Sequence, residues 1–208
     1  MNTVYLSTAY FAPVSYYAIM LRYNRIVIEQ WCNYTKQTYR NRCHIAAANG
    51  VLPLSVPIVK PDTLKYPTRD IRISDHGEWR HLHWNAIASA YGSSPFFEYY
   101  QDDLRPFFEK RYTFLFDFNE AIRQTMCILI GIEPQVEFTE SYASPAPDET
   151  DLREAIHPKR KTAETIPSLH LKPYYQVFTE KYGFQPDLSI IDLLMNMGPE
   201  SILILKDS

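Results

Sequence analysis

The sequence predicts an α/β fold in one domain spanning 1–208: a mixed sheet, begun by a parallel βαβ unit and extended by an antiparallel hairpin, flanked by helices. Three observations predict it. A short apolar run containing Val4, Tyr5 and Leu6, a stretch at 11–23 with apolar residues at helical spacing, and the β-branched run Arg25–Glu29 follow one another directly, which is the pattern of a right-handed crossover between parallel strands. Two further strand-like runs, 44–48 and 51–59, flank Asn49-Gly50, a dipeptide suited to the positive φ angles of a tight hairpin turn. With 46% hydrophobic and 22% charged residues in a 208-residue chain, there is enough apolar surface for one large core and too much for disorder.

Each element has its own local reason. Residues 1–8 read as a short buried strand. The helix at 11–23 carries Pro13 in its first turn, where a missing N–H does no harm. After the hairpin comes a polar link containing proline, and then 70–74 alternates as a strand with one buried side. Residues 78–91, 94–111 and 112–130 have helical periodicity, the last two divided near Lys110, and are expected to cover one side of the sheet. Glu98, Asp102 and Asp103 form a solvated helix face. Residues 135–140 alternate again. The stretch 144–167 holds four prolines and many charges, so it reads as an exposed loop. A last strand is expected at 174–178, and a helix at 190–197 capped by Ser189 or Asp187, with a further helical turn from Pro199. Ser189 and Asp192 have the spacing of a capping box.

Several function classes are excluded. The six glycines, at 50, 77, 92, 131, 183 and 198, are never clustered, so GxGxxG, Walker A and GxSxG loops are all missing, and any phosphate must be held by side chains or a helix N-terminus. Three widely spaced cysteines, Cys32, Cys43 and Cys127, fit neither a disulfide framework nor a CxxC site. A net charge of -3 argues against a nucleic-acid partner. The first residues lack a basic segment ahead of an apolar one, and the apolar stretch at 11–21 is interrupted by Ser15, Tyr16 and Tyr17, so a cytoplasmic protein without membrane insertion is expected. The sixteen tyrosines serve either as core and boundary residues or as stacking platforms.

The densest polar constellation runs from Asn33 to His44, after the second strand. Ligands of parallel α/β sheets bind beyond the carboxyl ends of the strands, which is where Glu29 and this segment fall. In a helical conformation Lys36 and Arg40 share a face, with Tyr39 and Arg42 turned elsewhere. Two cations so placed call for an acidic partner: Glu29, another internal carboxylate, or the phosphate or carboxylate of a ligand. The second constellation is 78–85. His81 and His83 point about 200° apart on a helix and cannot chelate one metal; no metal and no cofactor is expected. His83 falls on the buried face, four residues from Trp79 and from Ile87, where it is either a hydrogen-bonded core histidine or a general acid or base.

Together, Tyr10-Phe11 with Pro13 and Tyr16-Tyr17, Ile26-Val27-Ile28, Tyr34-Thr35-Lys36 and Tyr39-Arg40-Asn41-Arg42 resemble the opening of the WbqC-like family of bacterial proteins. Trp79, His83, Ile87, Tyr91 and Pro95-Phe96 look like that family's middle helix, and Tyr175-Gln176, Gly183-Phe184 and the segment 188–194 look like its tail. The chain departs from the pattern in three places: Ser15-Tyr16 replaces a Gly-Tyr pair, Asn24-Arg25 replaces an acidic approach to the second strand, and Glu29-Gln30 replaces an Asp-rich end. The resemblance implies a group transferase of glycyl or acyl type acting on a sugar or nucleotide sugar in surface-polysaccharide (O-antigen) biosynthesis. In that reading Tyr10, Tyr34, Lys36, Arg40, Asn41 and Arg42 bind the anionic substrate, His83 takes a proton from the attacking amine or hydroxyl, and Glu29 orients it or serves as the base. The alternative is a non-catalytic module that binds a nucleotide sugar or glycan, with tyrosines as platforms and the same cations as clamps. The sequence does not define an oligomeric state.

Overall fold

β1 (Thr3–Ser7) and β2 (Arg25–Glu29) pair in parallel, from Thr3 opposite Arg25 to Ser7 opposite Glu29, and α1 (Val14–Arg22) crosses between them. The computed structural model describes residues 2–60, 63 and 65–208; Met1 of the expected first strand and residues 61, 62 and 64 of the polar link lie outside the described residues. Val4, Leu6, Ile26 and Ile28 are all fully buried, because the interior strands of a parallel sheet are covered on both faces. The first turn of α1 is completed from the far end of the chain. The Val14 amide donates to the Leu188 carbonyl at 2.9 Å, and the Ser15 amide to the Asp187 carboxylate at 2.8 Å, which satisfies donors that every helix start leaves open.

β3 (Arg42–Ala47) and β4 (Gly50–Ser55) form the expected hairpin, paired from Arg42 opposite Ser55 to Ala47 opposite Gly50. Two details differ from expectation. The hairpin is a two-stranded sheet of its own rather than an extension of the parallel one. Its tip is Ala48-Asn49, and the positive φ falls on Gly50 alone, at +102°, so the turn closes one residue earlier than the Asn-Gly signal suggests.

The helices α2 (Trp79–Tyr91), α3 (Phe97–Leu104), α4 (Pro106–Glu109) and α5 (Leu115–Ile130) follow. Pro106 divides the expected 94–111 helix into α3 and α4, since its ring cannot accept the preceding turn, and the break before α5 falls at Lys110, where ψ turns to 148°. α2 packs against β3 and α4. The expected strand at 70–74 is not one. Ile71 and Ile73 are buried, but the segment pairs only through isolated bridges outside the strands, Arg72 with Phe114 and Ile73 with Ile58.

β5 (Val136–Phe138) pairs in parallel with β2, and β6 (Thr150–Asp151) pairs in parallel with β1, giving the order β5-β2-β1-β6. β6 lies inside the stretch 144–167, which is therefore not simply an exposed loop. Leu152 donates its amide to the Tyr5 carbonyl, and Leu152 and Ile166 are buried. The chain then runs through the single turns α6 (Thr162–Thr165) and α7 (Thr179–Tyr182) to α8 (Ile190–Met197) and α9 (Ser201–Asp207). Ser189 caps α8 through its hydroxyl, while Asp187 caps α1 instead. Among the described residues no helix is long and apolar enough to cross a membrane.

The expected strand at 174–178 is also absent, because its side chains are committed elsewhere. The buried carboxylate of Asp192 accepts from the Tyr174 hydroxyl at 2.7 Å, the Gln176 amide at 2.8 Å and the Tyr91 hydroxyl at 2.9 Å. Asp192→Ala leaves three buried donors without an acceptor and should cost about 3 to 5 kcal/mol. For a domain of this size that lowers Tm by roughly 6 to 20 °C. Asp192→Asn keeps one acceptor oxygen and should lose less; thermal melts in which both variants match the wild type would contradict this role.

Candidate functional site at the carboxyl edge of the sheet

The chain moves outward from β1 to β2 and β5 and then returns to the other side of β1 with β6, so the strand order reverses between β1 and β6. Connections that part in this way leave a crevice beyond the carboxyl ends of the strands. The segments following β1, β2 and β6 surround it, and they carry a concentrated set of charges.

Glu29, the last residue of β2, is completely buried. Its carboxylate accepts from the Trp31 amide at 2.6 Å, the Ala143 amide at 2.8 Å, the Thr139 hydroxyl at 3.0 Å and Arg153 Nη1 at 3.4 Å. Arg153 also donates from Nε and Nη2 to the two oxygens of Asp151, at 2.8 and 2.6 Å. The Asp151 hydrogen bonds raise the guanidinium pKa and hold the Asp151 carboxyl below its usual range. Arg40 is buried to 3% exposure. Its Nη2 donates to Glu154 Oε1 at 2.7 Å and to Ser7 Oγ at 2.9 Å, and stands 3.6 Å from Cys32 Sγ. Beside these pairs lies an open groove of about 430 Å³ lined by Cys32, Tyr142, Asp151, Arg153, Glu154 and Arg160. Arg160 pairs with no carboxylate among the described residues, unlike the other two arginines.

The structure brings Glu29 and Arg40 to this edge, as the spacing suggested, although the segment after β2 is irregular rather than helical, with Gln37 at φ 60°. Lys36 and Arg40 therefore do not share a helix face; Lys36 is exposed and Arg40 buried. The partner of Arg40 is Glu154, not Glu29. Tyr34 is half-buried close to Arg40 and Arg42, and burial pushes its hydroxyl up to about 12. Asn41 donates its side-chain amide to the Val56 carbonyl at 2.8 Å, and Arg42 donates Nε to Ser55 Oγ at 3.0 Å, so both brace the hairpin.

His83 and Tyr10 form a separate, buried pair. The Tyr10 hydroxyl lies 2.9 Å from His83 Nδ1, and the imidazole packs on Trp79 and makes a backbone hydrogen bond to Ser55. Burial lowers its pKa to about 4. Buried beside Tyr10 and Trp79, the imidazole has the surroundings of a hydrogen-bonded core histidine, the first of the two alternatives its position allowed. Sequence reasoning did not identify Arg153, Glu154, Asp151 or Arg160, because all four come from the charged, proline-containing stretch. The signal available there was Leu152 and Ile156, apolar residues at helical spacing among charges, both of which turn inward.

The site is thus that of an α/β protein with a charged crevice at its strand-order reversal. Residues 8–166 match the WbqC-like protein family, and the chain belongs to that family. It is 24% identical to Uncharacterized protein Rv1507c of Mycobacterium tuberculosis (strain ATCC 25618 / H37Rv), over 89% of each chain. No solved structure matches it.

The lowered pKa of His83 predicts a pH dependence. A base whose folded pKa lies below its unfolded value contributes stability that is present above about 6.5 and is lost as pH falls through about 4. Chemical denaturation should show this loss, on the order of 3 kcal/mol between pH 7 and pH 4, in the wild type and not in His83→Gln. An imidazole titrating at or above pH 6 by NMR would contradict the sealed environment.

Proposed function

We propose that the protein binds a nucleotide sugar, or a related anionic sugar derivative, in the groove at the carboxyl edge of its parallel sheet. The observation that carries this reading is the arrangement of guanidinium groups there: Arg153 held rigid by Glu29 and Asp151, and Arg160 lining the same groove with no carboxylate paired to it among the described residues. The exposed Arg160 offers paired N–H donors for bidentate contact to diphosphate oxygens, while Arg153, its donors taken by Asp151, Glu29 and the Ala143 carbonyl, supplies fixed positive charge beside it. Tyr142, exposed at the rim, offers a ring face for a base or sugar. Lys36 adds a cation to the segment leading out of β2. The two groups expected to move protons are unsuited to it, since Glu29 has its acceptor positions filled and His83 is sealed in the core, and this favours binding without chemistry.

The second reading is the glycyl- or acyl-type transferase of surface-polysaccharide biosynthesis that the family resemblance implies. One observation favours it: the half-buried Cys32 thiol lines the groove within reach of Arg40 and the Thr68 hydroxyl. Sulfur would attack the acyl carbon of an activated donor, the leaving group departing with the thiol proton. An amino sugar would then take the acyl group from the thioester and return a proton to sulfur.

Calorimetric titration with nucleoside-diphosphate sugars, followed by mass spectrometry after incubation with activated glycine or acyl donors, separates the two. Saturable binding with no product is expected. Arg160→Ala should weaken binding at least tenfold while changing stability by only ~0 to 1 kcal/mol, as for an exposed arginine. Product that disappears in Cys32→Ser would replace the binding reading with the transferase, and absence of any binding at millimolar ligand would end both.

A further inference from the structure

The buried guanidinium of Arg40 uses only part of the edge it presents. Nε and Nη2 lie along one side of the planar group, the side that grips an oxyanion with two parallel bonds. Nη2 is occupied by Glu154 and Ser7, whereas Nε has no partner among the described residues. Thr8 Oγ1, at the end of β1, is likewise buried without a partner. Buried polar groups are nearly always paired, so two unpaired ones on a single cavity wall need a reason. Both residues line a narrow cavity of about 20 Å³ between the end of β1 and the segment after β6, and it shares Arg153 and Glu154 with the open groove. That volume admits one oxygen atom.

We infer that this cavity is an oxyanion subsite, in which one oxygen of a phosphate group accepts from Arg40 Nε and Thr8 Oγ1 and a second takes the place of Glu154 on Nη2. Glu154 is suited to the part of displaceable occupant. Its side chain is 60% exposed although the arginine it touches is buried, so it can leave for solvent at little cost, and it engages Nη2 alone of the two parallel donors. The subsite deepens the binding function proposed above and places the anionic end of that ligand against β1.

The test uses inorganic phosphate on the whole protein, with acetate as the carboxylate arm, and follows the Arg40 Nε–H signal by NMR. Phosphate should shift that signal saturably. Thr8→Val, which keeps the side-chain shape and removes the hydroxyl, should weaken phosphate binding at least fivefold. Glu154→Gln removes the competing charge and should tighten it at least threefold. An Arg40 signal that phosphate does not move, or two variants that bind phosphate like the wild type, would overturn the inference, and acetate binding tighter than phosphate would reassign the subsite to a carboxylate. If phosphate behaves as expected and no nucleotide sugar binds, the sugar reading fails alone. If nucleotide sugars bind equally to wild type and both variants, the subsite fails alone.

Discussion

The carboxyl edge of this protein is organised around one buried charge. A carboxylate with no exposure to water is tolerated only when hydrogen-bonded and neutralised, and Glu29 meets that requirement with donors from three separate segments. The Trp31 amide brings back the chain leaving β2, Thr139 and the Ala143 amide draw in the chain leaving β5, and Arg153 arrives from beyond β6. Thr139 also holds the turn through its backbone, its amide donating to the Ile28 carbonyl and its own carbonyl accepting from the Gln30 side chain and the Trp31 indole. Loops that would otherwise diverge are thereby pinned to the end of β2, and the groove exists because they are.

The same requirement separates the two carboxylate-paired arginines of this edge, Arg153 and the buried Arg40, into different kinds of group. Arg153 sits between Glu29 and Asp151 with donors on both sides satisfied, so it is a fixed wall. Arg40 is buried beside Ser7 and Cys32 and meets a carboxylate that is itself largely in water. A fixed cation beside an exchangeable ion pair is what a small-ligand site needs, since rigidity limits the entropy lost on binding. The His83 and Tyr10 pair belongs to a different layer, where aromatic packing with Trp79 and Phe118 joins α2 and α5 to the start of α1.

The parts of the fold that were legible in the sequence are those whose stability is local or strongly periodic. β1, α1 and β2 follow from apolar runs too long to be exposed, and α2 and α5 from helical spacing. The parts that were not legible depend on partners distant in the chain. β6 is only two residues, Thr150 and Asp151, and becomes a strand because Tyr5 and Val4 offer it an open edge; nothing in its own composition marks it. Residues 174–178 look strand-like, yet Tyr174 and Gln176 turn to Asp192 instead. At the site, Glu29 and Arg40 were identifiable from their place after a parallel strand, whereas their true partners, Arg153 and Glu154, were hidden in a segment whose prolines and charges resemble those of a solvated loop.

The claim that Glu29 is an organising anchor rather than a proton-transfer group is tested most directly by amide hydrogen exchange in Glu29→Gln. The neutral side chain keeps one acceptor oxygen and loses the charge that binds Arg153. The Trp31 and Ala143 amides should lose protection together, while ladder amides of β1 and β2 such as those of Leu6 and Ile28 exchange as before. Unchanged protection at Trp31 and Ala143 would show that the loops hold their places without the carboxylate and would contradict the account.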